Sequence, residues 1–267
     1  MTKHSSSQKH VPKKSLGQNF LIDQRIRNKI IDACQLEPDD TVLEIGPGKG
    51  VLSKPILPLV KNLILVEKDR ELFDLLKNEF SGQTVDLVCS DILKYPVPDL
   101  PQKIILLGNI PYNISTPILE YAILNRAKIK SFFMTVQLEF GQRLSAQPGT
   151  KDYGALTCFA QFYADVRLLF KIKNTCFSPA PKVQSCFVRL DFLKRPRYAV
   201  QNDEKFLSFI KNTFSKRRKT IANSLALNEP KQAVIELLED LGLDERLRAE
   251  NLSLEDFVRI YRKGMEG

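Results

Sequence analysis

Between Thr41 and Gly50 the chain reads TVLEIGPGKG. An aliphatic, partly β-branched run passes straight into three glycines spaced two apart. Such a stretch fits a strand, a tight turn and the entry of a helix. The alternation then repeats. NLILV (62–66) precedes a helical pattern near 69–80, TVDLV (84–88) is another strand, and KIILLG (103–108) and KSFFMTV (130–136) flank a helical stretch near 116–126. A helix near 50–60 follows the glycine turn, and Asp23 is placed to cap a helix running to Cys34. Strands alternating with helices give βαβ units and a mostly parallel sheet. ADVRLLFKI (164–172) and QSCFVRLDF (184–192) are expected to pair as an antiparallel edge hairpin, with FSPAPK in the turn. Beyond Phe192, KRPRYAVQ reads as a linker and the rest as helices over 203–213, 218–227, 230–241 and 253–263. The expected fold class is α/β: a Rossmann-like domain over 15–195, then a small all-helical domain over 200–267. Residues 1–14 are expected to be a disordered basic tail.

Charge narrows the partners. The 267 residues carry a net charge of +9, unevenly spread. Residues 1–22 hold four lysines and no acid, and residues 194–219 hold nine Lys or Arg against Asp203 and Glu204. Residues 229–256 reverse the balance, with nine acids against three bases. Two local basic blocks fit a polyanion, nucleic acid first, contacted at defined places. No apolar run approaches the roughly 18 residues that a membrane-spanning helix needs. The first ten residues, MTKHSSSQKH, lack the apolar region of a secretory signal, so a cytoplasmic location is expected.

The five cysteines are scattered without a CxxC pair, so they read as small buried hydrophobes and no metal site is expected. The two histidines, His4 and His10, both lie in the polar tail. Chemistry that needs an imidazole base or ligand is therefore excluded from the folded body.

The glycine turn gains meaning from Glu67, 21 residues beyond Gly46 at the end of the next strand. Gly46 and Gly48 let backbone N–H groups approach a ligand closely, and an acid at that distance accepts hydrogen bonds from both ribose hydroxyls. A nucleoside-containing cofactor follows. The dinucleotide fingerprint wants a third glycine where Val51 stands. E-x-G-x-G-x-G, opening with Glu44, resembles instead motif I of S-adenosylmethionine-dependent methyltransferases. By that resemblance Asp91, in CSDIL after the third strand, holds the cofactor's adenine amine, and Ile92 packs beside the ring.

The fourth strand ends in GNIPYNIS, and Asn109-Ile110-Pro111-Tyr112 resembles motif IV of amino methyltransferases acting on nucleobases. The exocyclic nitrogen of adenine is a poor nucleophile because its lone pair is delocalised into the ring. The Asn109 side-chain oxygen and the backbone carbonyl of Ile110 or Pro111 can accept its two N–H bonds, drawing it toward pyramidal geometry. Tyr112 can stack on the base, and proline fixes φ so that the acceptors stay aimed. No imidazole base is needed, because the methyl donor is already activated.

KKSLGQNFLID (13–23), LEIGPGKGVLS (43–53), GNIPYNIST (108–116), FSPAPKVQS (177–185) and FSKRRKTIANSL (214–225) together resemble the KsgA family of ribosomal RNA adenine dimethyltransferases, from about Lys13 to the C-terminus. The resemblance implies a class I methyltransferase fold, S-adenosyl-L-methionine as cofactor, and dimethylation of the N6 amines of two adjacent adenosines near the 3′ end of small-subunit rRNA. The implied partner is that rRNA within an immature small subunit, met by a monomer. It also implies that Gln18, Asn19 and Leu21 line the cofactor site together with Asn109. Phe177 would stack on the target adenine opposite Tyr112, and Lys216, Arg217, Arg218 and Lys219 would face RNA. NIPYNIS is also the form seen in erythromycin-resistance methylases, which modify large-subunit rRNA. That activity, a non-catalytic assembly factor and a DNA adenine methylase stand as alternatives.

Overall fold

The computed structural model describes residues 11–13, 16–216, 219–225 and 230–265. Nine strands occur among them: β1 (Phe20–Leu21), β2 (Thr41–Ile45), β3 (Asn62–Glu67), β4 (Asp86–Cys89), β5 (Ile104–Asn109), β6 (Ile129–Gln137), β7 (Ala164–Ile172), β8 (Phe177–Ser178) and β9 (Ser185–Phe192). Seven form one sheet in the order β4-β3-β2-β5-β6-β9-β7, while β1 and β8 pair antiparallel as a separate ribbon. The pairs β4–β3, β3–β2, β2–β5 and β5–β6 are parallel. All five residues of β2 are buried, as are the first five of β5. That explains their unbroken apolar sequences, since a central parallel strand is covered on both faces. The expected edge hairpin is present as β7 and β9, an antiparallel pair.

Strand order reverses between β2 and β5: the chain builds outward through β3 and β4, then returns to β5 on the other side of β2. Ligands bind at the carboxyl ends of strands at such a switch point. The register puts Ile45 beside Gly108, so Gly46 and Asn109, far apart in sequence, leave neighbouring strands side by side.

Four helices accompany this part of the chain: α1 (Gln24–Cys34), α2 (Ser53–Ile56), α3 (Arg70–Glu79) and α4 (Ser115–Leu124). Asp23 caps α1 by accepting from the Arg25 and Ile26 amides, as its sequence position predicts. The helix expected near 50–60 is shorter, because Pro58 lies in the 3-10 turn Leu57–Leu59 that follows α2.

The other helices are α5 (Leu138–Leu144), α6 (Ala155–Tyr163), α7 (Asp203–Phe214), α8 (Ile221–Leu225), α9 (Lys231–Asp240) and α10 (Leu254–Met265). The chain divides into two compact units, one of residues 1–138 with 168–190, the other of 139–167 with 191–267. This division differs from the expected boundary at 195, because α5 and α6 group with the C-terminal helices. Aromatic packing accounts for it. Phe162 of α6 lies 5.2 Å from Phe206, Phe206 lies 5.3 Å from Tyr261, and Tyr153 meets Phe214 edge-on. Edge and offset contacts of this kind add about 0.5–1.5 kcal/mol each beyond area burial. No described helix is long and apolar enough to cross a membrane.

Candidate active site

A cleft opens at the carboxyl ends of β2, β3, β4 and β5, lined wholly by residues between Leu16 and Ile114. Gly46, Gly48, Glu67, Asp91, Ile92 and Asn109 all border it, as do Gln18, Asn19, Ile110, Pro111 and Tyr112. These sequence-predicted residues are therefore brought together by the fold.

Two are not. Leu21 and Phe177, expected on the cofactor and on the target base, are absent from the cleft wall. They are cross-strand partners in the β1–β8 ribbon and stand 5% and 3% exposed in the hydrophobic core. Successive residues of a strand face opposite ways. Phe20 takes the cleft side of β1, which leaves Leu21 the core side.

Phe20 also explains the glycine turn. Gly48 has φ +61°, and a Cβ there would stand 3.0 Å from the Phe20 ring. Any larger residue would strain the backbone and push Phe20 away. With Gly46 at the same φ, the turn leaves a backbone-walled cradle. Glu67 closes one side: its two oxygens accept from the amides of Gly48 (3.1 Å) and Asp69 (2.8 Å). Burial pushes this carboxyl above the ordinary glutamate range, and those amides pull against the shift. Each oxygen keeps a second lone pair for a ribose hydroxyl. Beneath it, buried Glu44 accepts from Ser53 Oγ at 2.6 Å, and desolvation raises its pKa to about 7.

Asp91 caps a 3-10 turn through the Leu93 amide at 3.1 Å and pairs with Lys68 Nζ at 2.9 Å. The Lys68 ammonium holds its carboxyl below the usual range. The residues present thus fit a nucleoside: a glycine cradle, a buried acid for its diol, and a partly exposed acid for its amine.

At the end of β5, Asn109 Nδ2 donates to the Asn19 carbonyl at 2.7 Å, which leaves its Oδ1 as the acceptor end. The Ile110 amide donates to the Thr135 carbonyl at 3.0 Å. The Pro111 carbonyl already accepts from the Ile114 amide at 3.1 Å and from Ser115 Oγ at 3.4 Å. Of the two backbone acceptors left open by sequence, that of Ile110 is the one the turn does not use. Tyr112 Oη shares a 2.6 Å hydrogen bond with the fully buried Ser185 Oγ, which fixes the ring.

Sequence reasoning missed Ser185, Lys68 and Asp69. Asp69 is buried, caps α3, and accepts from Lys13 Nζ at 2.7 Å and Gln18 Nε2 at 2.9 Å. Lys13, assigned to a disordered tail, is therefore held in place. The final serine of FSPAPKVQS was the one available signal for Ser185, since a small buried polar residue needs a partner. Of the basic cluster expected to face RNA, Lys216 and Lys219 sit in the turn between α7 and α8, and Arg217 and Arg218 lie outside the described residues.

Comparison with known proteins agrees with this geometry. The family model for ribosomal RNA adenine dimethylase matches residues 9–264. The Ribosomal RNA small subunit methyltransferase A of Moorella thermoacetica is 38% identical over 265 residues, covering 94% of this chain and 92% of the relative. That of Alkaliphilus metalliredigens is 37% identical over 262 residues, covering 94% and 91%. Among solved structures, a dimethyladenosine transferase from Plasmodium falciparum superposes with a TM-score of 0.77 at 27% identity, over 91% of this chain and 96% of that one. The 23S rRNA methyltransferase ErmE gives 0.74 at 27%, over 92% and 99%. A glycine cradle, two strand-end acids and an Asn-Ile-Pro-Tyr turn in one cleft, matched along almost the whole chain, make this protein a member of the ribosomal RNA adenine dimethylase family, enzymes that use S-adenosylmethionine.

Proposed function

We propose that this protein dimethylates the N6 amine of two adjacent adenosines near the 3′ end of small-subunit rRNA, within an immature small subunit. The observation that carries the reading is that Asn109 borders the cleft with its Nδ2 tied to the Asn19 carbonyl, which leaves Asn109 Oδ1 as an acceptor next to the Ile110 carbonyl. When bound, S-adenosylmethionine supplies an electrophilic methyl group. Gly46, Gly48 and Glu67 would hold its amino-acid and ribose portions, and Asp91 and Ile92 its adenine.

The two acceptors take the N–H bonds of the target amine and hold its nitrogen pyramidal, with the lone pair exposed. Asn19 keeps Asn109 from turning its donor end inward, where it would repel the amine. Tyr112, fixed by Ser185, offers a face for the extruded base. Phe177, buried in the hydrophobic core, would have to leave it to stack on the other face, so we assign stacking to Tyr112. The amine sheds its proton to water, consistent with the chain's lack of histidines beyond His10. Lys216, Arg217, Arg218 and Lys219 are proposed to contact phosphates, which fix register without reading sequence. A monomer is proposed as the active unit. A cytoplasmic location fits that substrate and cofactor.

The likeness to ErmE keeps large-subunit rRNA as the rival substrate. The purified protein, labelled cofactor, and equal amounts of immature small subunits, large-subunit rRNA and duplex DNA decide it by mass spectrometry. Dimethyladenosine at adjacent small-subunit positions is expected. Label confined to large-subunit RNA or to DNA would overturn the assignment.

A further inference from the structure

Residues 16–20 cross the mouth of the cleft as a strap, and each contact they make falls on a different part of the site. Phe20 packs on Gly48 of the cofactor turn, with Lys49 Nζ 5.1 Å from the Phe20 ring centroid. Gly17, at φ +63°, lies so close to the Asn-Ile-Pro-Tyr-Asn turn that a Cβ would stand 3.0 Å from Asn113 Oδ1 and 3.4 Å from Pro111 Cβ. The Asn19 carbonyl holds Asn109. All of this is fastened at Asp69. Its Oδ1 takes Lys13 Nζ at 2.7 Å and its Oδ2 takes Gln18 Nε2 at 2.9 Å, while Gln18 Oε1 accepts from the Lys13 amide at 2.8 Å. Glu71 adds a 3.1 Å ion pair to Lys13. The Asp69 side chain is fully buried while Lys13 is about one-third exposed, so the clasp is anchored at its buried acid and open to solvent at its lysine.

We infer that Asp69 is a positioning residue for methyl transfer: through Lys13 and Gln18 it seats the strap, and through the Asn19 carbonyl the strap sets which end of the Asn109 amide faces the target. The inference deepens the proposed function and rests on it. Without the clasp the Asn19 carbonyl moves, and the Asn109 amide is free to rotate its donor end into the cleft. Asp69 does not line the cleft. Gln18, which borders the cleft, has both ends of its side-chain amide engaged in the clasp.

The test is Asp69→Asn, read by single-turnover methylation at saturating cofactor and RNA. Asparagine caps a helix as well as aspartate does, so α3 keeps its start while Gln18 Nε2 meets a donor. The rate is expected to fall roughly ten- to hundredfold, the scale of an ångström-sized misplacement. Adding Gln18→Glu is expected to restore most of it, because the new carboxylate accepts from the side-chain amide introduced at position 69 and pairs with Lys13. A destabilisation without a positioning role would lower the melting temperature and leave both the rate at saturation and the rescue flat. Should Asp69→Asn fail to fold, Lys13→Met tests the same link from its half-exposed end, with a severalfold loss expected. A single-turnover rate unchanged in the folded variant, or a double variant no better than the single, overturns the inference and leaves the proposed function intact. An inert wild-type protein overturns both.

Discussion

Glu67 and Asp91 end neighbouring parallel strands and face one cleft, yet they are held in opposite ways. Glu67 is buried and takes both its hydrogen bonds from backbone amides, so its position is part of the fold. Asp91 is partly exposed and takes a charge from Lys68, itself largely in solvent. Burial raises the first carboxyl, and the ammonium lowers the second. The difference teaches where discrimination sits. Glu67 cannot adapt, so a ligand lacking two properly spaced hydroxyls leaves a buried charge unmatched. Asp91 must trade Lys68 for a ligand amine, which makes its share of binding small, adjustable and sensitive to salt.

The largest test of this contrast is Glu67→Ala. It removes a charged acceptor for two hydroxyls, so the cofactor Kd measured by calorimetry should rise by more than about 100-fold, roughly 3 kcal/mol or more. Glu67→Gln should fare little better, since its amide would meet the Gly48 or Asp69 donor. A loss under tenfold would show that Glu67 is not the anchor.

Glu44 sharpens the buried side of the comparison. Its carboxyl is raised from 4.5 to about 7, so the protonated form is favoured in the fold. The associated stability is fully present below about pH 4.5 and is lost as pH rises through 7, by an amount on the order of 3 kcal/mol. Glu44→Gln keeps a partner for Ser53 and should flatten that slope in denaturant titrations between pH 5 and pH 8. The same slope in both proteins would rule out Glu44 as its source.

On the exposed side, Asp91→Asn should weaken cofactor binding by roughly tenfold or less, the scale of one hydrogen bond lost to a solvated charge. Smallest of all, Lys68→Met should change the Kd by about a few tenths of a kcal/mol and reduce its salt dependence, as exposed pairs do. If Lys68→Met matched Glu67→Ala in size, the contrast between the two carboxylates would be broken.

How much of this was legible in sequence follows from how each residue is positioned. Gly46, Glu67, Asp91 and Asn109 each sit at a strand end, and parallel register carries strand ends to one place. Lys13, Asp69 and Ser185 act through side-chain contacts 56 and 73 residues apart in the chain, for which a single sequence holds no period. Leu21 and Phe177 are expected in the cleft by family resemblance alone, and β1 and β8, two residues long each, offer no pattern in sequence to test that expectation. A two-residue strand has no visible alternation, and a slip of one reverses its facing. Helix α6 is hidden in the sequence for a related reason, since ALTCFAQFY is apolar nearly all round, and α5 is only seven residues long.

The central claim is that Asn109 Oδ1, beside a backbone carbonyl, makes an aromatic amine nucleophilic. Single-turnover methylation of small-subunit rRNA by Asn109→Ala at saturating cofactor tests it most directly. The account predicts a rate lower by at least about 100-fold, the scale of removing one aimed transition-state hydrogen-bonding group, with cofactor Kd changed by less than about tenfold. A rate within about threefold of wild type, with product still dimethylated, would contradict it.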